Sequence, residues 1–154
     1  EPLLFSGSVR DNILYGNPDC SGLTMDQLEN AIEDSHLTSL IKRFDQGLDT
    51  PVHASGEGLS LGQKQIIAFM RAILRNPELL ILDEATANID TVTEQQLEAI
   101  LNNLPESTTK VIIAHRLNTI ENADEIFFVN SGKIIAAGSF NEALNLLMQG
   151  SVES

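Results

Sequence analysis

The 154-residue chain has one cysteine, no tryptophan and few basic side chains. The single cysteine, Cys20, allows neither an internal disulfide nor a zinc site with several cysteines, so nothing indicates an oxidising compartment. Nine lysines and arginines against 22 aspartates and glutamates give a formal charge of -13, which argues against a module that binds nucleic acid by neutralising phosphates. The longest apolar run is about five residues, whereas a helix that crosses a bilayer needs roughly 20. The sequence therefore predicts no membrane span.

The composition is that of a folded globular domain. Hydrophobic residues make up 42% of the chain and charged residues 20%, which excludes a disordered tract of low hydrophobicity. A length of 154 residues suffices for one domain with a buried core and is short for two. The opening EPLLFSGSVR lacks an initiator methionine and the features of a secretory signal, so we expect a piece of a larger protein.

The first half of the sequence predicts helices and loops. Thr24 followed by Gln27 is a capping-box pattern, and apolar residues then recur at helical spacing. Residues 47–58 contain three glycines and a proline, which favours an irregular loop. Helices are predicted over residues 9–14, 25–36 and 37–44.

The second half predicts strands that alternate with helices. Ser60 can cap a helix that ends before Asn76 and Pro77, because proline disfavours helix in the residue before it. The apolar run LLIL at residues 79–82 is typical of a strand covered on both faces. Further buried or paired strands are predicted over 110–114, 126–129 and 134–137, with a hairpin turn at 130–133, and helices over 91–104 and 141–148. This order predicts an α/β fold with a parallel sheet.

Two adjacent carboxylates, Asp83 and Glu84, follow the apolar strand in the segment LLILDEATANID. The carboxyl ends of strands are where open α/β sheets bind their ligands. In phosphoryl-transfer enzymes, one such carboxylate holds Mg2+ and a neighbour can polarise the attacking water. Taken alone, the pair could equally cap the following turn.

Two further segments fit an anion site. Ser60 and Gly62 in LSLGQ stand at the start of a helix, where free amides and the helix dipole attract a terminal phosphate. His115 follows the strand KVIIA and would reach the same sheet edge as Asp83 and Glu84, where it could donate to a phosphate oxygen or hold water. An ordinary helix cap and a structural histidine are the alternatives for these two features considered singly.

Taken together and in order, these segments closely resemble the nucleotide-binding domain of ATP-binding cassette (ABC) transporters of the exporter type. LSLGQ resembles the family signature, LLILDE the Walker B motif, ANID the D-loop, and His115 the switch histidine. The opening EPLLFSGSVRDNILYG resembles the stretch after the family's Q-loop glutamine. The resemblance covers essentially the whole chain.

The resemblance implies a P-loop NTPase-like ABC ATPase fold, truncated to the helical subdomain plus the distal part of the mostly parallel core sheet with its flanking helices. It implies that two such domains sandwich two ATP molecules head to tail. The nucleotide-binding residues Ser60, Gly62 and Gln63 would then meet the γ-phosphate of the ATP held by the partner domain, and Asp90 of the D-loop would also bind nucleotide.

The resemblance also implies which residues act on the ATP held by this chain's own domain. Glu84 and His115 would be catalytic, with Glu84 as the base, and Asp83 would hold Mg2+ through water. Arg10 and Asp11 are candidates for contact with the transmembrane domains. The paired domains would lie on the cytoplasmic face of a membrane, and their closure would drive transport.

The sequence departs from the family pattern in three places. The phosphate loop G-x-x-x-x-G-K-[ST] is absent from the 154 residues, as is the aromatic residue that stacks on adenine. Leu61 stands where the signature usually has its first glycine, and Ala54 where exporters often place an acidic residue that touches the coupling helices.

We therefore expect one incomplete ABC ATPase domain, with residues 1–76 as the post-Q-loop segment, helical subdomain and signature helix, and residues 77–154 as the distal catalytic core. The 154 residues alone are predicted to be inactive, and the whole protein to hydrolyse ATP and power export. One alternative is a non-catalytic module that supplies LSLGQ in trans to a complete cassette domain. Another is a DNA-repair or chromosome-maintenance ATPase, which would need long coiled-coil heptads that the sequence lacks.

Overall fold

A computed structural model describes residues 2–18, 22–54, 56–83, 89–113, 123–130, 132–138 and 140–150. The strands are β1 (Gly7–Ser8), β2 (Pro51–Val52), β3 (Leu79–Asp83), β4 (Thr109–Ile113), β5 (Phe127–Asn130) and β6 (Lys133–Ala136). The helices are α1 (Val9–Leu14), α2 (Met25–Asp34), α3 (Thr38–Ile41), α4 (Leu61–Ile73), α5 (Thr91–Asn102) and α6 (Phe140–Gly150), with a 3-10 turn at Gly47–Asp49. The chain divides into two compact units, Glu1–Val111 and Ile112–Ser154.

The core of the first unit is built mainly from helices. The largest fully buried apolar side chains of this unit come from five helices and from the residue just before α3. They are Val9, Ile13, Leu28, Leu37, Leu40, Ile67, Met70 and Leu97. Helix α1 packs against α4, and α3 packs against α5. Each buried side chain of this size stabilises the fold by about 1.5–3 kcal/mol relative to exposure. The core therefore fixes α4, which begins at the predicted signature.

Three helices of the first unit begin with a capping box. The boxes at Thr24 and Ser60 confirm two of the sequence predictions. A third box, in which Ser8 and Asp11 bond reciprocally at the start of α1, was not predicted because its third residue is an aspartate rather than a glutamate or glutamine. Asp11 Oδ2 accepts from the Ser8 N–H at 2.8 Å and from the Ser8 hydroxyl at 2.7 Å.

A buried polar cluster ties the opening segment to α4. Asn12 is fully buried, and its side-chain amide accepts from the Phe5 N–H at 2.9 Å and donates to the Phe5 carbonyl at 2.8 Å. Arg71 donates to the carbonyls of Asn12 and Leu3, at 2.7 and 2.9 Å. Its guanidinium also lies 5.7 Å from the ring centre of Phe5 and 5.8 Å from that of Tyr15, which is the geometry of a cation–π contact.

Three predicted helices are shorter than the sequence indicated, and one of them is α5, which ends at Asn102 rather than at residue 104. Helix α2 ends at Asp34 rather than at residue 36, because His36 takes a left-handed backbone with φ of 57°. The helix predicted over 37–44 is confined to α3, and the residues after it form turns in which Arg43 N–H donates to the Leu40 carbonyl. All three differences occur at helix ends, where a local turn competes with the last helical hydrogen bonds.

The loop predicted over 47–58 is only partly irregular. It contains the 3-10 turn and β2, which pairs antiparallel with β1 so that Gly7 faces Val52 and Ser8 faces Pro51. Two-residue strands leave no alternation in a sequence, which is why the pattern did not reveal them.

The prediction that β3 is covered on both faces is wrong. Leu80 is 4% exposed and belongs to the core, whereas Leu79 is 55% and Ile81 61% exposed. In β4, Val111 and Ile113 are likewise exposed, so the prediction of a second buried strand is also wrong. Successive strand side chains point to opposite faces, so Leu80 lies in the core while Leu79 and Ile81 point away from it.

The second unit contains the predicted hairpin and the last helix. Strands β5 and β6 pair antiparallel from Phe127 opposite Ala136 to Asn130 opposite Lys133, which confirms the hairpin with small shifts of its bounds. Gly132 supplies the left-handed backbone of the turn, with φ of 75°. Helix α6 packs against β5. Within the described part of the chain, no helix has both the length and the apolarity to cross a bilayer.

Candidate functional site

The N-terminus of α4 presents hydrogen-bond donors at the predicted signature. Ser60 Oγ accepts from the Gln63 N–H at 3.1 Å, and Gln63 Oε1 accepts from the Ser60 N–H at 2.9 Å. Because the Ser60 oxygen acts as the acceptor, its hydroxyl hydrogen stays available for another group. The backbone amides of Leu61 and Gly62 have no acceptor among the described residues. Such donors at the positive end of a helix dipole suit an anion such as phosphate.

Gln63 holds this helix end in place through both ends of its side-chain amide. Its oxygen completes the capping box, and its nitrogen donates to the backbone carbonyl of Arg43 at 2.9 Å. Both ends of the Gln63 amide are therefore bonded within the chain, and they hold the start of α4 that carries the donors of Ser60 and Gly62.

Asp90, the predicted D-loop residue, caps α5. Its Oδ1 accepts from the Thr93 N–H at 3.0 Å and its Oδ2 from the Thr93 hydroxyl at 2.7 Å. These hydrogen bonds from Thr93, the hydroxyl first, lower the pKa of the Asp90 carboxyl, and the nearby Arg43 charge acts in the same direction. Asp90 is thus held as a carboxylate.

Arg43 lies between these two helix starts. One guanidinium nitrogen, Nη2, is 3.6 Å from Asp90 Oδ1, while the Arg43 carbonyl accepts from Gln63. The structure therefore brings the predicted residues Ser60, Gln63 and Asp90 together around a residue that the sequence analysis did not single out. No local pattern could have found Arg43, because its partners are distant in the sequence.

Asp83 ends β3 as predicted, and no hydrogen bond or ion pair joins its side chain to another described residue. A carboxylate in this position suits Mg2+, which proteins often hold by one or two carboxylates plus substrate phosphates. The described residues contain no group of three acidic, histidine or cysteine side chains that could hold a metal. The predicted catalytic residues Glu84 and His115 lie outside the described residues.

The two candidates for contact with transmembrane domains are engaged within the chain. Arg10 pairs with Asp49, Nη2 to Oδ1 at 3.0 Å, and its Nη1 lies 2.7 Å from the Met25 sulfur. Asp11 belongs to the capping box of α1, and the Ser8 hydroxyl and N–H lower the pKa of its carboxyl. Both side chains keep part of their surface exposed.

Comparison with known proteins identifies the class to which this fold and site belong. Residues 2–87, more than half of the chain, match the ABC transporter family. The chain belongs to that family, and it corresponds to part of a nucleotide-binding domain of the exporter type.

Particular relatives support this identification. The chain is 46% identical over 144 residues to the uncharacterized ABC transporter ATP-binding protein YfiC of Bacillus subtilis, covering 94% of this chain and 23% of the relative. It is also 46% identical over 144 residues to the mitochondrial ATP-binding cassette sub-family B member 10 of Mus musculus, covering 94% and 20%. The solved structure of a bacterial Atm1-family ABC exporter with ATP bound superposes with a TM-score of 0.76 at 34% identity, covering 96% of this chain and 25% of the exporter chain. The chain thus spans about a quarter or less of these proteins.

Proposed function

We propose that this chain is part of a domain that binds and hydrolyses ATP to power export across a membrane. The observation that supports this most directly is the N-terminus of α4, where the Ser60 hydroxyl and the amides of Leu61 and Gly62 can donate to a phosphate. A second support is that Asp90 lies beside the same helix start, through Arg43.

The proposed binding step occurs between two domains arranged head to tail. The donors at the start of α4 bind the γ-phosphate of an ATP held by the partner domain, with Gln63 orienting Ser60 and Gly62. Since this phosphate cage is complete only with ATP present, binding energy becomes closure of the two domains. Closure then moves the transmembrane domains. In this arrangement the chain lies at the cytoplasmic face of the membrane.

The proposed hydrolysis step uses the residues that follow β3 and β4. Glu84 takes a proton from the attacking water, and His115 donates to a phosphate oxygen or holds that water. Asp83 would hold Mg2+, and the ion would supply positive charge beside the phosphates. Loss of the γ-phosphate removes the bridge between the domains and lets them part.

The test is ATP hydrolysis by the complete transporter that contains these residues. Glu84→Gln should lower the hydrolysis rate roughly 100-fold or more, because a positioned general base contributes at least that much. Glu98→Gln, the same change at an exposed position on α5, is the matched control and should hydrolyse at the wild-type rate. Equal hydrolysis by Glu84→Gln and wild type would exclude Glu84 as the base.

A second candidate function is a non-catalytic module that supplies the signature in trans to a complete cassette domain. The donors at the start of α4 would serve this role too, because they act on a phosphate of an ATP that another domain holds. Titration of the chain into a complete cassette domain, in the presence of ATP, should then show binding and a changed hydrolysis rate. The absence of both effects would exclude this role.

A further inference from the structure

The starts of α4 and α5 are joined through one residue that belongs to neither helix. Arg43 follows α3, and two different parts of it make the two contacts. Its backbone carbonyl accepts from Gln63 Nε2 at 2.9 Å, and its side chain reaches to 3.6 Å from Asp90 Oδ1. Gln63 is the third residue of the α4 capping box, and Asp90 is the N-cap of α5.

We propose that Arg43 is a positioning residue for ATP use. It holds the signature donors at the start of α4 and the Asp90 carboxylate at the start of α5 in one spatial relation, so that both meet the nucleotide between domains together. This inference rests on the proposed function, and it adds to it a residue outside the recognised motifs.

Because the two contacts of Arg43 use different parts of the residue, its positioning role can be tested separately from its effect on folding. The Arg43–Asp90 pair is partly exposed, with side-chain exposures of 34% and 58%, and such pairs add little to stability. Replacing the side chain leaves the carbonyl free to accept from Gln63, so the α4 capping box persists. What is lost is the ion pair with Asp90, which stays bound to Thr93.

The charge of Arg43 matters as well as its position. Asp90 is a carboxylate in a chain of formal charge -13, and ATP is an anion. A carboxylate close to the phosphates repels them, and a guanidinium within ion-pair distance offsets part of that repulsion. Loss of the guanidinium should therefore weaken the response to ATP more than the maximal rate, which depends on Glu84 and His115.

The experiment measures hydrolysis by the complete transporter as a function of ATP concentration. Arg43→Met should raise the KM for ATP by about threefold to fivefold, the size expected for an exposed ion pair, while kcat stays within about twofold. Arg43→Lys keeps the charge and should retain most of the wild-type KM. Lys42→Ala removes the neighbouring positive charge, which has no partner among the described residues, and should leave KM and kcat unchanged.

A double-mutant cycle identifies Asp90 as the partner. If the pair acts as a unit, Arg43→Met combined with Asp90→Asn should have the same KM as Asp90→Asn alone. Effects that multiply in the double variant would overturn the proposal, as would a KM of Arg43→Met equal to that of Lys42→Ala. If Arg43→Met lowers the melting temperature, the KM of Arg43→Lys is compared with the KM of Asp90→Asn instead. Arg43→Lys is used because it preserves the positive charge.

The same assay separates this inference from the proposed function. Wild-type hydrolysis that Glu84→Gln abolishes, together with no effect of Arg43→Met, would overturn the role of Arg43 alone. Hydrolysis by Glu84→Gln equal to wild type would overturn the catalytic assignment of Glu84 and leave the role of Arg43 to be decided by its effect on KM.

Discussion

Arg71 stabilises the first unit through contacts that no neighbouring residue can replace. It lies in the last turn of α4, and its donors satisfy carbonyls of the opening segment and of α1. Burial is the main cause that lowers the pKa of its guanidinium, and the nearby Arg75 acts in the same direction. The cost of this desolvation is offset by the hydrogen bonds and the aromatic faces of Phe5 and Tyr15.

Substitution of Arg71 should measurably destabilise the chain. Arg71→Met leaves the Leu3 carbonyl without a donor among the described residues and the Asn12 carbonyl with only the Tyr15 N–H, at 3.4 Å, so we expect the free energy of unfolding to fall by about 2 kcal/mol. Arg75→Met is the matched control, because Arg75 makes one exposed hydrogen bond, to the Tyr15 carbonyl at 2.8 Å, and should cost less than about 1 kcal/mol. Urea denaturation of both variants measures the difference, and equal losses would contradict the role given to Arg71.

At the scale of single elements, two helices with the same cap allow stability to be separated from ATP binding. Helices α2 and α4 both begin with a capping box, at Thr24 and at Ser60. Only the α4 box belongs to the proposed phosphate site. The same chemical change can therefore be made at a cap with a proposed ligand and at one without.

Ser60→Ala and Thr24→Ala should each lower the free energy of unfolding by about 1 kcal/mol, the usual value of a lost helix cap. In the complete transporter, only Ser60→Ala should raise the KM for ATP, since it also removes a hydroxyl donor to the γ-phosphate. Thermal unfolding and ATP titration of the two variants test this pair of expectations. A KM raised equally by Thr24→Ala would reduce Ser60 to a structural cap.

The helices and their caps could be predicted from the sequence because each depends on residues that are close together in the chain. The Thr24 box, the start of α4 and the hairpin around Gly132 each depend on residues a few positions apart. The apolar run predicted the strand β3, but it also predicted burial of both faces, which is wrong because coverage of a strand depends on other elements. Arg43 was missed for the same reason: its contact with Gln63 joins residues 20 positions apart.

At the scale of the whole molecule, the 154 residues contain only some of the groups that an ATP site needs. The 154 residues contain the donors proposed for a γ-phosphate and the carboxylate proposed for Mg2+, but no phosphate loop to cradle the rest of the nucleotide. The signature donors serve an ATP held elsewhere in the proposed arrangement.

We therefore expect the 154-residue chain by itself to bind ATP with a dissociation constant weaker than about 1 mM and to show no hydrolysis above background. Calorimetric titration with MgATP and a phosphate-release assay measure the two quantities. Saturable binding in the micromolar range would contradict the expectation and would require a phosphate cradle made of other residues.

The exposed apolar side chains of β3 and β4 have a consequence for how the purified chain behaves in solution. Leu79, Ile81 and Val111 form exposed apolar surface on paired strands, the kind of surface that promotes self-association. The net charge of -13 opposes this by repulsion between molecules. Salt shortens the range of that repulsion from about 10 Å at 0.1 M to about 3 Å at 1 M. We therefore expect self-association of the 154-residue chain to increase with ionic strength, and low-salt buffers to keep it monodisperse.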